Sequence, residues 1–225
     1  MAGRIAYLGN IVTQGLILDL DAAKRESYPG TGTSWNDLSV NASKGILTNG
    51  PTFSSADYGS IAFDGVDDYA NIPDNSDLRL NGNFTISLWH RAITMVNTYP
   101  GPLYKGNSGP AGTGYIMFYT SISNGDMYFK RQNQTFTLTS ATSTSWKHIT
   151  FTYDGTNVRG YLNGVLGATF SGITFPTNTD TSALQLGRAD NFGNGAVGNL
   201  TMYNRALSQT EITQNFNAYR SRYGI

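Results

Sequence analysis

Cysteine is absent from this sequence, so neither a disulfide framework nor a thiolate metal site can form, and redox compartment leaves no trace in it. Glutamate is nearly absent: Glu26 and Glu211 are the only two among 225 residues. Charged residues make up only 13%, and the 15 basic and 15 acidic side chains cancel with no basic cluster anywhere. The electrostatic footprint of phosphate binding is therefore missing, which argues against nucleic acid as a partner. Long apolar runs are missing too. The opening MAGRIAYLGNIVTQGLILDLD is broken by Gly9, Asn10, Thr13 and Gln14 before it reaches signal-peptide or membrane-spanning length, so it reads as mature protein with no membrane segment. A chain assembled into a particle inside a cell, or released by lysis, needs no signal peptide, so this does not fix a cytoplasmic working life.

What is abundant is glycine (26), tyrosine (14) and phenylalanine (11), with many Asn and Thr, a composition for short strands joined by turns. One domain with one core fits this length. Residues 1–14 read as an N-terminal arm. The domain proper then runs over 15–207, beginning with GLILDLDA, where Leu16, Leu18 and Leu20 alternate with Ile17, Asp19 and Asp21. A turn-rich excursion follows, with Trp35 and Leu38 as anchors into the core and Trp35 read as packing. NFTISLWHRA has the two-residue period of a strand, and GYIMFYTS, DMYFKRQ and TFTLTS are three more, the first two separated by a turn at 123–126. In WKHITFTYDGTNVRGYLNGVLGATF, Asp154-Gly155 and Asn163-Gly164 supply hairpin turns between three consecutive antiparallel strands. ALQLGRAD and VGNLTMYN complete the set. Residues 208–225 form a C-terminal helix and tail: Ser208 and Glu211 have capping-box spacing, and Ile212, Phe216 and Tyr219 share a helical face. Arg220, Arg222 and Tyr223, near its end, are expected to be free to touch a neighbouring subunit.

Five segments in this order resemble the laminin G-like domains of the concanavalin A-like lectin/glucanase superfamily: SIAFDGVDDYANIP, NFTISLWHRA, PLYKG with GYIMFY, WKHITFTYDGTNVRGYLNG, and LQLGRADNFGNGAVGNLTMYNRALSQTEI. The resemblance implies an all-β, two-sheet antiparallel jelly-roll sandwich with a short C-terminal α-helix. A narrower likeness, carried by GLILDLDAAKRESYPGTGTSWNDLS and MYNRALSQTEITQNFNAYRSRYGI, is to single-domain virion proteins of tailed, especially marine, bacteriophages. It implies a noncatalytic structural protein located in the virion, decorating the capsid or belonging to the tail, with capsid or tail proteins and sister copies of a homo-oligomer as partners. The alternative is a carbohydrate-binding adhesin of a phage tail fibre or of a host surface, with a glycan as ligand.

Hydrolases of this fold place two carboxylates about 5 to 5.5 Å apart across a glycosidic bond when configuration is retained. Glu26 and Glu211 lie in a loop region and the terminal helix, so neither serves. Asp67 and Asp68 are adjacent and would point to opposite faces of an extended segment. His90 and His148 stand on different strands without a nucleophile motif. No catalytic, cofactor or metal residue is assigned. Calcium at the Asp64–Asp68 loop is weighed against a plain turn, in which Asp64 and Gly65 set the backbone and Asp67 or Asp68 accepts amide hydrogen bonds. The turn is preferred, because the stretch matching the family's usual acidic partner reads Gly198-Asn199, and the segment is taken as a β-hairpin corner. For sugar stacking, Tyr99, Tyr115, Tyr119 and Phe192 are the aromatic candidates near Asn-rich loops, and most of them are expected to be packing.

Overall fold

The computed structural model describes residues 10–106, 109, 112–122 and 125–225; the first nine residues of the expected arm, and Ser123 and Asn124 of the expected turn, lie outside them. The first half of the chain supplies β1 (Leu16–Asp21), β2 (Ser34–Asn36), β3 (Lys44–Thr48), β4 (Thr52–Ser54), β5 (Ser60–Asp64), β6 (Tyr69–Ile72), β7 (Phe84–Thr94) and β8 (Leu103–Lys105). The second half supplies β9 (Tyr115–Phe118), β10 (Met127–Arg131), β11 (Gln134–Leu138), β12 (Lys147–Tyr153), β13 (Val158–Leu162), β14 (Val165–Phe170), β15 (Leu184–Leu186) and β16 (Asn194–Tyr203), then α1 (Gln209–Tyr219). The strands form two antiparallel sheets. Sheet one has the order β14-β13-β12-β7-β16-β5-β4, with β1 also on β16; sheet two has the order β11-β10-β9-β8-β15-β6-β3-β2.

Alternation along each strand builds the core between the layers. Phe84, Ile86 and Leu88 of β7 meet Tyr115, Met117 and Phe129 of sheet two, all fully buried. Trp35 is fully buried among them, whereas Leu38 is only half-buried at a rim. The meander β12-β13-β14 forms as its turns dictate, with Asn163 and Gly164 both at positive φ (49° and 79°) in a two-residue hairpin.

Two expectations are corrected. The 60–72 segment is not a hairpin: β5 pairs in sheet one and β6 in sheet two, so the turn is an arch from one layer to the other. In β1 the expected alternation breaks at a register shift between Leu16 and Leu18, which leaves Leu16 to pack outside the sandwich with Val12, Tyr203 and Ile212.

Helix α1 lies on the outer face of sheet one. Ser208 caps it in a full capping box with Glu211, which Arg205 also grips at 2.6 Å. Phe216 stacks on Trp89 at 5.7 Å, and beyond the helix Tyr223 stacks on the same indole at 4.2 Å. Asn215 ties residues 10–14 beneath the helix, accepting from the Val12 amide and donating to the Tyr203 hydroxyl. The tail is therefore not free as expected. Tyr223 is buried, and Arg222 pairs with the fully buried Asp21 at 2.8 Å; of the three residues only Arg220 is exposed.

Candidate functional site

With α1 covering sheet one, the outer face of sheet two is left without a helix among the described residues. Strand alternation turns one residue per strand to that side, and the registers align them into a row of Ile46, Asn71, Gln185, Tyr104, Ile116 and Lys130, in which Ile116 is itself buried under Phe118, Ala189, Tyr104 and Tyr128. Phe118 and Tyr128 pair in the adjacent outward row, their rings stacked at 5.1 Å. Two loops add further aromatics. Tyr99 stands edge-on to Phe118 at 5.7 Å and is 46% exposed, and Phe192 tilts against Tyr69 at 6.3 Å.

Arg188 joins the polar and aromatic parts of this face. Its guanidinium lies 4.9 Å from the Tyr104 ring centroid and 5.3 Å from that of Phe192, while Nη1 donates to Gln185 Oε1. Gln185 in turn donates to Asn71 Oδ1 at 3.2 Å. Arg188 makes no ion pair among the described residues. Half-exposed rings beside an amide and guanidinium chain are the surface a pyranose needs, with apolar faces for its C–H groups and directed donors and acceptors for its hydroxyls.

Of the four aromatic candidates from the sequence, Tyr99 and Phe192 reach this face. Tyr115 and Tyr119 do not: they are fully buried on the inward side of β9 and just after it, and Tyr115 donates to the Leu78 carbonyl. Sequence reading missed Tyr104, Tyr128, Gln185 and Arg188. Strand parity marks the first three as outward-facing, but which of the two outer faces a helix covers is a tertiary fact.

The acidic arch sits beside Phe192, since Asn97 donates to both the Gly65 and Phe192 carbonyls. Carboxylate oxygens of Asp64, Asp67 and Asp68 come within 4.8 Å of one another. Asp64 Oδ1 accepts from the Val66 and Asp67 amides, and Asp68 Oδ2 accepts from the Asp64 amide. Burial raises the pKa of Asp68, with the neighbouring carboxylates adding to the effect. The residue facing Asp64 across the pairing is Asn194, not Gly198-Asn199; Asn199 lies further along β16 and binds Asp19. Asn194 donates to the Asp64 carbonyl and leaves its own Oδ1 unpartnered. Against the 6–8 oxygens calcium takes, this donor set is short as built, and two of its carboxylates already hold the turn.

Glu26 is exposed in its loop and Glu211 caps α1, so neither lies on the open face. Ser87 Oγ lies 2.7 Å from His148 Nε2, a nucleophile-to-base distance, but both are buried beneath α1 and His148 Nδ1 has no carboxylate to orient it. His90 is buried on the inner side of β7. Burial lowers both imidazoles to a pKa of about 3, so neither ring is charged near neutral pH.

A family model for the concanavalin A-like lectin/glucanases superfamily matches residues 64–213, about two thirds of the chain. The chain belongs to that superfamily. A search of curated proteins returns no match. Among solved structures, a similar fold occurs in the binding domain of botulinum neurotoxin DC in complex with rat synaptotagmin II (17% identity, TM-score 0.70, covering 91% of this chain and 51% of that one). The same domain in complex with SialylT matches at 16% identity and TM-score 0.70, over 92% and 52% of the two chains. A further receptor binding domain matches at 16% and 0.72, over 94% and 53%. The superfamily member here thus spans about half the length of each, and at these identities the likeness is one of fold. No helix among the described residues is long and apolar enough to cross a membrane.

Proposed function

We propose that this chain is a noncatalytic binding module that recognises a saccharide on the outer face of sheet two. The observation that carries the reading is the Asn71–Gln185–Arg188 chain laid against Tyr104 and Phe192 on the one sheet face that α1 leaves open. The similar neurotoxin domains are described in complexes with rat synaptotagmin II and with SialylT, which supports recognition as a use of this fold. In a glycan-binding screen the wild-type chain should bind saturably, and Tyr104→Ala should weaken that binding at least tenfold, about 1.4 kcal/mol. Uniform blanks at millimolar sugar, or affinity unchanged by Tyr104→Ala, would reject it.

The setting follows from the sequence resemblance: the exterior of a tailed-phage particle, as a capsid decoration or a tail adhesin. The buried C-terminal tail removes one of the attachments a cement protein would use, which favours the adhesin. Mass spectrometry of purified particles tests the setting. Absence of the chain refutes it, a low copy number fits an adhesin, and a copy number matching the capsid lattice fits a decoration.

A further inference from the structure

Arg131 ends β10 pointing inward, after the outward-facing Lys130, and is only 1% exposed. None of the ion pairs among the described residues includes it. Its guanidinium lies 5.6 Å from the Phe84 ring centroid and 4.7 Å from that of Phe175; Nη1 donates to the Leu80 carbonyl at 3.0 Å, and Nε has no acceptor. Lys105, the other cation among the described residues buried this deeply, shows how the same fold treats a charge it compensates itself, with Nζ 2.6 Å from Asp74 and also bonded to the Ser182 carbonyl. A desolvated cation with one carbonyl and two ring faces lacks the counter-charge that buried ions require.

A cleft of about 260 Å³ opens onto Arg131, walled by Asn81, Asn83, Tyr153, Phe175 and Thr177. Beside it, Asn178 exchanges hydrogen bonds with Asn81 in both directions, is 1% exposed, and leaves its Nδ2 without an acceptor. Among the described residues, Arg131 is the only charged one lining the cleft.

We propose that this cleft is an anion site whose ligand presents a single carboxylate to Arg131. One guanidinium balances one negative charge, and its planar fork matches a carboxylate; a phosphate dianion would leave excess charge in a poorly hydrated place. Phe175 and Tyr153 supply an apolar wall for the organic body of the ligand. The site shares no lining residue with the open face of sheet two, and does not depend on saccharide binding there.

The test is thermal unfolding of the full chain in sodium acetate or sodium glucuronate, each against sodium chloride at equal ionic strength. The carboxylates should raise the midpoint saturably, as expected for a ligand bound only by the folded state, and Arg131→Met should abolish the rise. A wild-type midpoint no higher in carboxylate than in chloride, or a rise that persists in Arg131→Met, overturns the proposal. Should the variant fail to fold, the Arg131 Nε–H resonance of the wild-type chain gives the same readout. It moves saturably with acetate if the site exists, and a resonance that stays put makes Arg131 a cap on Leu80 alone.

Discussion

His90 and His148 are each 3% exposed and neutral, which ties the stability of the chain to pH. Burial lowers their folded pKa to about 3 from an ordinary 6.5, so the unfolded chain takes up their protons first. Their contribution is complete above pH 6.5 and is lost as pH falls towards 3. Asp19 acts in the opposite sense. Burial raises its pKa to about 6 from 3.8, despite Lys24 nearby, so its contribution grows as pH falls through that window. Between pH 4 and 6, unfolding therefore takes up more protons at the two histidines than it releases at Asp19, so stability falls as the pH falls. The urea midpoint should fall steadily from pH 6 to pH 4, and His148→Gln should flatten it; a wild-type midpoint constant over that range contradicts the burial of these rings. At this scale the sequence was only partly legible. That both histidines lie on strands followed from alternation, but the Ser87 contact joins β7 to β12 across 61 positions of chain, and no local pattern announces it.

Among the elements, those with local turn chemistry could be read directly. Asp154-Gly155 and Asn163-Gly164 specify their own backbone, so the β12-β13-β14 meander needed no tertiary information. Ser208 and Glu211 announced the start of α1 for the same reason, and Ser208→Ala should cost about 1 kcal/mol in a denaturation midpoint. The arch at 64–68 could not be read, because its strands find partners in different sheets, β5 on a strand 130 positions away. Its carboxylates hold backbone amides, so excess calcium and then chelator should leave the melting midpoint unchanged; a calcium-dependent rise would show that the three aspartates form a metal site. The tail beyond α1 is held by charge as well as by aromatic stacking. Arg222→Met leaves the fully buried Asp21 with the Ala23 amide on Oδ1 and Lys24 3.8 Å from Oδ2, and should destabilise the chain by about 3 kcal/mol in urea titration. Gly198 permits that docking, since a Cβ there would overlap the Tyr223 hydroxyl.

For the molecule as a whole, composition and alternation were enough to specify two antiparallel layers, and the order of segments was enough for the superfamily. They could not say which outer face would be open, because that depends on where eleven helical residues come to rest. β16 carries a further consequence. One edge of this single strand receives β5 at Asn194–Val197 and β1 at Asn199–Tyr203, while its other edge pairs with β7. β1 and β5, made before β16, must wait for it to emerge before sheet one can close. Sheet one thus closes by an insertion in which a later-made ribbon threads between earlier-made ones, and a nascent chain stalled before residue 194 should remain protease-sensitive and dependent on chaperones.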